Sequence, residues 1–157
     1  MNDKILDCSD LDKYLGKPIA PARMKEALHN NDFRRWVQAM HYANLLHYDH
    51  DFAAAGRYGR LVAPQSFAVA TDDGHGAGPA CVGFIPDSHL IFGGDEWWFY
   101  GPRIFGGDQI TNEKVPFDYA IKETSFAGPT CFQRGDNNYY NQNGDYIAKQ
   151  RSTSIRY

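Results

Sequence analysis

The chain has 157 residues, a formal net charge of −3 with both signs interspersed, and a 43% share of hydrophobic residues. That length fits one domain with a core of its own, residues 1–157 taken together, and no run of Lys or Arg supplies an electrostatic footprint for nucleic acid. No apolar run approaches the ~20 residues of a membrane span, and the stretch from Met1 to Cys8 has no apolar signal region, so the expectation is a soluble, cytoplasmic protein.

Residues 1–20 read as a polar lead-in, in which Gly16, Pro18 and Pro21 just beyond punctuate the chain rather than propagate structure. Helical spacing starts after them. Phe33, Trp36, Val37 and Met40 fall on one face of a helix, with Asn31 or Asp32 as N-cap. Asp49 to Ala55 predicts a second short helix closed by Gly56. A third starts near Pro64, whose missing N–H costs nothing in a first turn, and runs from Gln65 to about Thr71. Residues 72 to 88 are rich in Gly, Pro and Asp and predict a loop placed over a binding cleft.

From His89 the pattern turns to strand. Leu90-Ile91-Phe92 and Asp95 to Tyr100 are β-forming runs broken by Gly93-Gly94 and by Gly101-Pro102. Asp108 to Glu123 and Ser125 to Tyr140 are longer strand candidates, and Asn143-Gly144 is a hairpin signal leading into a closing strand from Tyr146 to Tyr157. Helices first and antiparallel strands afterwards predict an α+β architecture, with a sheet curled around a helix. Cys8, Cys81 and Cys131, odd in number and widely spaced, read as reduced, buried thiols.

The densest functional signal is Asn44-Leu45-Leu46-His47-Tyr48-Asp49, followed by an Ala run and Gly56-Arg57-Tyr58-Gly59-Arg60-Leu61-Val62-Ala63-Pro64. Two further segments share its context. One runs from Glu96 through Trp97-Trp98-Phe99-Tyr100-Gly101-Pro102 to Gly107-Asp108-Gln109-Ile110, the other from Tyr139 through Asn143-Gly144 to the last strand. In order and spacing these segments, over roughly residues 20 to 157, resemble the MaoC-like hydratases and dehydratases, in particular the N-terminal half of two-domain members.

The resemblance implies a hot-dog fold, in which an antiparallel sheet wraps a central helix starting near Pro64. It also implies pairing with another hot-dog subunit, as a homodimer or a heterodimer, with an acyl-thioester tunnel at the interface. His47 matches the family's catalytic imidazole, Asn44 a polar neighbour that orients it or the water, and the backbone amides of Gln65 and Ser66 the donors to the thioester oxygen. The family's catalytic Asp lies five residues before the His, and here that position is Tyr42. A phenol, with a reference pKa of about 10, is a poor base at neutral pH, so the exchange should cost much of the roughly 100- to 10,000-fold that acid–base catalysis supplies. Either Asp49, Asp51 or a partner residue supplies the acid, or Tyr42 acts as a donor in a different proton transfer, or this subunit no longer hydrates.

Arg57, Arg60 and Arg103 are candidates for the phosphates of coenzyme A or phosphopantetheine, which would enter only as part of the substrate; no separate cofactor is expected. A metal cluster of His41, His47 and His50 with Asp49 and Asp51 has no familiar spacing, and no metal is expected. The leading expectation is a MaoC-like acyl dehydratase or enoyl hydratase. Its rivals are a non-catalytic acyl-binding companion of a complete subunit, and a thioesterase, cyclase or dehydratase of specialised metabolism on the same scaffold.

Overall fold

Strand-forming sequence after residue 89 builds most of the framework of this computed structural model, which describes residues 6–23, 26–71 and 78–157. Strands β1 (Ala20–Arg23), β2 (Leu90–Phe99), β3 (Thr111–Thr124), β4 (Gly128–Tyr140) and β5 (Tyr146–Arg156) form one antiparallel sheet in the order β1-β3-β4-β5-β2. The two edges differ from the sequence expectation. A strand that was not expected, β1, starts at the last lead-in residue and pairs with β3 from Ala20↔Lys114 to Arg23↔Thr111, and an edge is where a strand tolerates Pro21. Gly93-Gly94 does not break β2; the register with β5 shifts between Phe92 and Gly94, so the pair forms a bulge in one continuous strand.

Two hairpins join the long central strands. At the second, Asn141 Oδ1 accepts from the N–H groups of Asn143 and Asp145 at 3.0 and 2.9 Å, while Gly144 alone takes a left-handed conformation at φ 81°. The turn is therefore built on the Asn141 side chain rather than on paired positive φ values at Asn143 and Gly144.

Helix α1 (Asn30–Ala39) follows its predicted stripe: Phe33 and Val37 are buried and Trp36 packs on the same cluster, whereas Met40 is exposed. Its N-cap is His29 rather than Asn31 or Asp32, with the Asp32 carboxylate returning a bond to the His29 N–H at 2.8 Å. Helix α2 (His50–Ala55) is capped by Asp49 and ends at Gly56, which is extended (ψ −179°) rather than left-handed. The helix expected at the centre of the sheet is a seven-residue 3-10 helix, Gln65–Thr71. It still supplies the core: Phe67 meets Phe33 edge-on with ring centroids 5.0 Å apart, and Phe67 and Ala68 cluster with Ile104, Ile110, Tyr139, Ile147 and Ala148.

Residues 78–88, an irregular segment, also lie on the sheet's inner face, and an irregular backbone pairs only some of its own carbonyls. The sheet pairs others. Gln133 Nε2 donates to the Val82 carbonyl at 2.9 Å, Arg156 Nη1 to the Gly83 carbonyl at 2.8 Å, and Ser154 Oγ to the Ala80 carbonyl. The part of the expected cleft-covering loop that is described, residues 78–88, thus lies on β4 and β5; residues 72–77 fall outside the described residues. Beneath it, Cys8 and Cys131 sit with Leu6, Leu11 and Ile85, and burial pushes the Cys131 thiol up to about 12. Cys81, by contrast, is exposed.

Close packing of that segment depends on Gly135, where a Cβ would lie under 3.0 Å from the Pro79 carbonyl and the Ala80 nitrogen, both main chain that cannot rotate aside. Gly135→Ala should therefore destabilise the protein by about 3 kcal/mol in denaturant unfolding. Gly101→Ala, where nothing lies within 4 Å of the added carbon, should stay within about 0.5 kcal/mol of the parent. Equal effects at the two sites would refute the packing described.

Candidate active site

After α1 the chain turns through His41, a non-glycine residue at φ 53°, and the Tyr42 N–H bonds back to the Val37 carbonyl at 3.0 Å. The 3-10 turn Leu45–His47 follows, and Asn44 caps it by accepting the Leu46 N–H at 3.0 Å. Asn44 thereby fixes the turn that carries His47. The imidazole is then held by its Nδ1, 2.7 Å from the Val62 carbonyl oxygen. A carbonyl only accepts, so Nδ1 carries the proton and Nε2 keeps the lone pair of the neutral ring.

Tyr42 is tied to the start of the next turn. Its hydroxyl is 3.0 Å from Ser66 Oγ, and Ser66 Oγ also accepts from the indole Nε1–H of Trp36 at 3.2 Å. Pro64 leads into the 3-10 helix, and the first bond of that turn runs from the Phe67 N–H to the Pro64 carbonyl at 2.9 Å. The preceding amides, those of Gln65 and Ser66, take no acceptor within the described chain.

These groups line one cavity of about 580 Å³, together with Ala43, Tyr58, Val62, Ala63, Phe99 and Arg103. A second cavity of about 410 Å³, lined by Arg34, Val37 and His41 among others, shares Tyr42 and Ala43 with the first, so Tyr42 is a wall between them. Among the described residues the first cavity is lined by no carboxylate.

Of the residues singled out in the sequence, His47, Tyr42, Asn44, Gln65 and Ser66 converge here. Arg57 and Arg60 do not line this cavity. Their guanidinium groups lie over the rings of Tyr58 and Phe105, at 5.5 and 3.9 Å from the centroids. Arg103 is the arginine that the cavity contains. Asp49 and Asp51 do not reach it either: Asp49 is spent on the Phe52 N–H at 2.9 Å as the cap of α2. Among the described residues no three His, Cys, Asp or Glu side chains converge as a metal site would require.

Sequence reasoning missed Trp36 and the Ser66 hydroxyl as partners of Tyr42. The missing signal is tertiary, because Trp36 sits on the apolar stripe of α1 and its spacing announces only core. It also missed the Val62 carbonyl, a main-chain acceptor that no side-chain pattern reveals.

The profile of the FAS1-like dehydratase domain region matches residues 14–150. Among solved structures, R-hydratase PhaJ1 from Pseudomonas aeruginosa superposes with a TM-score of 0.62 at 16% identity, over 86% of this chain and 78% of that one. A MaoC-like dehydratase from Rhodospirillum rubrum gives 0.67 at 16% identity, over 92% and 93%. The ChsH1–ChsH2 complex from Mycobacterium tuberculosis gives 0.69 at 14% identity, over 88% and 83%. No match was found among curated proteins. At such identities the superpositions show the fold alone, and that fold is the hot dog of MaoC-like and R-hydratase proteins.

The His47 geometry can be read directly by nitrogen NMR. In its neutral form the ring should show a protonated Nδ1 and a lone-pair Nε2. The reverse tautomer would contradict the bond to Val62.

Proposed function

The chain belongs to the family of FAS1-like dehydratase domain regions, MaoC-like proteins of hot-dog fold, and on that premise we propose that it is a hydro-lyase acting on an acyl thioester, with Tyr42 as proton donor in place of a carboxylate. The observation that carries this reading is the pairing, in one cavity, of an imidazole with a free Nε2 and a phenol held by a hydrogen-bond chain from Ser66 and Trp36.

Donor inventory sets what the chain can do. The Trp36 indole N–H can only donate, so Ser66 Oγ accepts it, and both its hydroxyl proton and its second lone pair stay available to Tyr42. When Ser66 gives that proton to the Tyr42 oxygen, the phenolic proton is free to point into the cavity. In hydration, His47 Nε2 takes a proton from water as the hydroxide adds to Cβ, and the Tyr42 O–H protonates Cα. Proton return from the imidazolium to the phenolate restores both groups, and dehydration is the reverse sequence. The unused Gln65 and Ser66 amides suit the thioester oxygen, where negative charge builds in the enolate-like state. They act as two individual donors, because the element behind them is a short 3-10 helix.

The substrate thioester is carried by coenzyme A or a carrier protein's phosphopantetheine. A hot-dog partner fits the free edge of β2, where Leu90, Ile91, Phe92, Trp98 and Phe99 are exposed and Phe99 also lines the cavity. A second copy or a different hot-dog subunit added there would help enclose the substrate. The heteromeric ChsH1–ChsH2 neighbour favours keeping a companion role as the second reading, in which this chain binds acyl groups for a complete partner.

Purified protein assayed with crotonyl-CoA and a longer enoyl-CoA should hydrate at least one of them. His47→Ala and Tyr42→Phe should each lower kcat by roughly 100- to 10,000-fold. A wild type inert alone but active when co-expressed with another hot-dog subunit would favour the companion, and a Tyr42→Phe variant as active as the parent would remove the phenol from the mechanism.

A further inference from the structure

The cavity around His47 holds one permanent charge among its described lining residues, and it is positive. Arg103 is only partly exposed, yet it has no ion pair or hydrogen bond with the described chain. The other arginines whose side chains are described differ from it. Arg134 and Arg151 fork onto Asp118 and Asp136, Arg156 is bound to loop carbonyls, and Arg34, Arg35, Arg57 and Arg60 are exposed. A partly desolvated guanidinium favours a planar anion that can take two of its donors at once.

Its position is set by neighbours. The Ala63 N–H bonds to the Ile104 carbonyl at 2.9 Å, and the Phe105 N–H is tied to Asp108 at 2.8 Å, so Arg103 is held in the loop beside Pro64 and Gln65. It therefore shares a cavity with the groups assigned to the reacting carbons and the thioester oxygen. The phosphates of coenzyme A or phosphopantetheine lie the whole length of the pantetheine arm away from that oxygen. An anion for Arg103 has to come from the acyl side.

We propose that the substrate's acyl group carries a carboxylate of its own close to the reacting carbons, and that Arg103 binds it: the substrate is a thioester of a dicarboxylic acid. The proposal rests on the thioester hydro-lyase reading above. It also fits a phenol at position 42, since an Asp there would place a second carboxylate in the cavity that must accept this one.

The test is calorimetric binding of butyryl-pantetheine and succinyl-pantetheine, saturated thioesters that lack phosphate and cannot be hydrated, to the wild type, Arg103→Gln and Arg103→Lys. The wild type should bind the succinyl compound roughly 10- to 100-fold more tightly, Arg103→Gln should erase that preference, and Arg103→Lys should retain part of it. No preference in the wild type, or a preference that survives Arg103→Gln, would overturn the dicarboxylate while leaving the thioester reading intact. Preference for coenzyme A esters over pantetheine esters that disappears in Arg103→Gln would assign the arginine to carrier phosphate instead and likewise overturn it. Failure of every thioester to bind would bring down both readings.

Discussion

Two residues, Val62 and Ala63, tie together the three pieces of chain that make the cavity. The Val62 carbonyl fixes His47, the Val62 N–H reaches the Leu46 carbonyl at 3.3 Å, and Val62 bridges to Phe105. The Ala63 N–H holds Ile104 and with it the Arg103 loop, and Pro64 next in sequence opens the 3-10 helix with its free amides. Both residues are almost wholly buried, at 2% and 3% exposure, so the tie is made in a dry environment where an unmade hydrogen bond is costly. A cavity assembled from loops is ordinarily adaptable; here one buried segment holds the imidazole and the amides in fixed relation and anchors the backbone from which Arg103 projects, as preorganised catalysis requires.

The same economy of backbone partners explains the polar interior of the sheet. A long central helix would have paired its own amides and asked only for an apolar sheet face. Beside the 3-10 helix Gln65–Thr71, the described chain from 78 to 88 is irregular, and Gln133, Ser154 and Arg156 occupy inner-face positions to bind its carbonyls. Asn137 and Gln150 continue the polar row, bonded to one another at 2.7 Å, and Gln150 passes on to Asp95 of β2 at 2.6 Å. The network links the edge strand to the centre of the sheet, so β2 is positioned by side chains as well as by its ladder with β5.

Much of this was legible in the sequence where a local pattern has a local cause. The Phe33–Trp36–Val37 stripe, the helix after Asp49, the turn before Tyr146 and the closing strand all follow from periodicity or turn chemistry. The 3-10 turn that carries His47 was not read, although its cap, Asn44, acts within a few residues. What else stayed hidden depends on distant partners. β1 exists because β3 offers it a ladder, although Pro18 and Pro21 argue locally against a strand. Gly93-Gly94 looks like a break but is absorbed as a bulge because β5 continues on the other side. Arg57, Arg60 and Arg103 are equivalent as residues; only the tertiary contacts lay two of them on aromatic rings and leave the third in the cavity.

The account stands or falls on whether this cavity adds water across a thioester-conjugated double bond through a donor that is not a carboxylate. The most direct measurement is the product formed from an enoyl thioester in deuterium oxide, followed by mass spectrometry and NMR. Hydration with Tyr42 as donor predicts a 3-hydroxyacyl thioester with one deuteron at Cα, formed at a rate that collapses in Tyr42→Phe. Free acid and thiol, or recovered starting material with no deuterium at Cα, would contradict it.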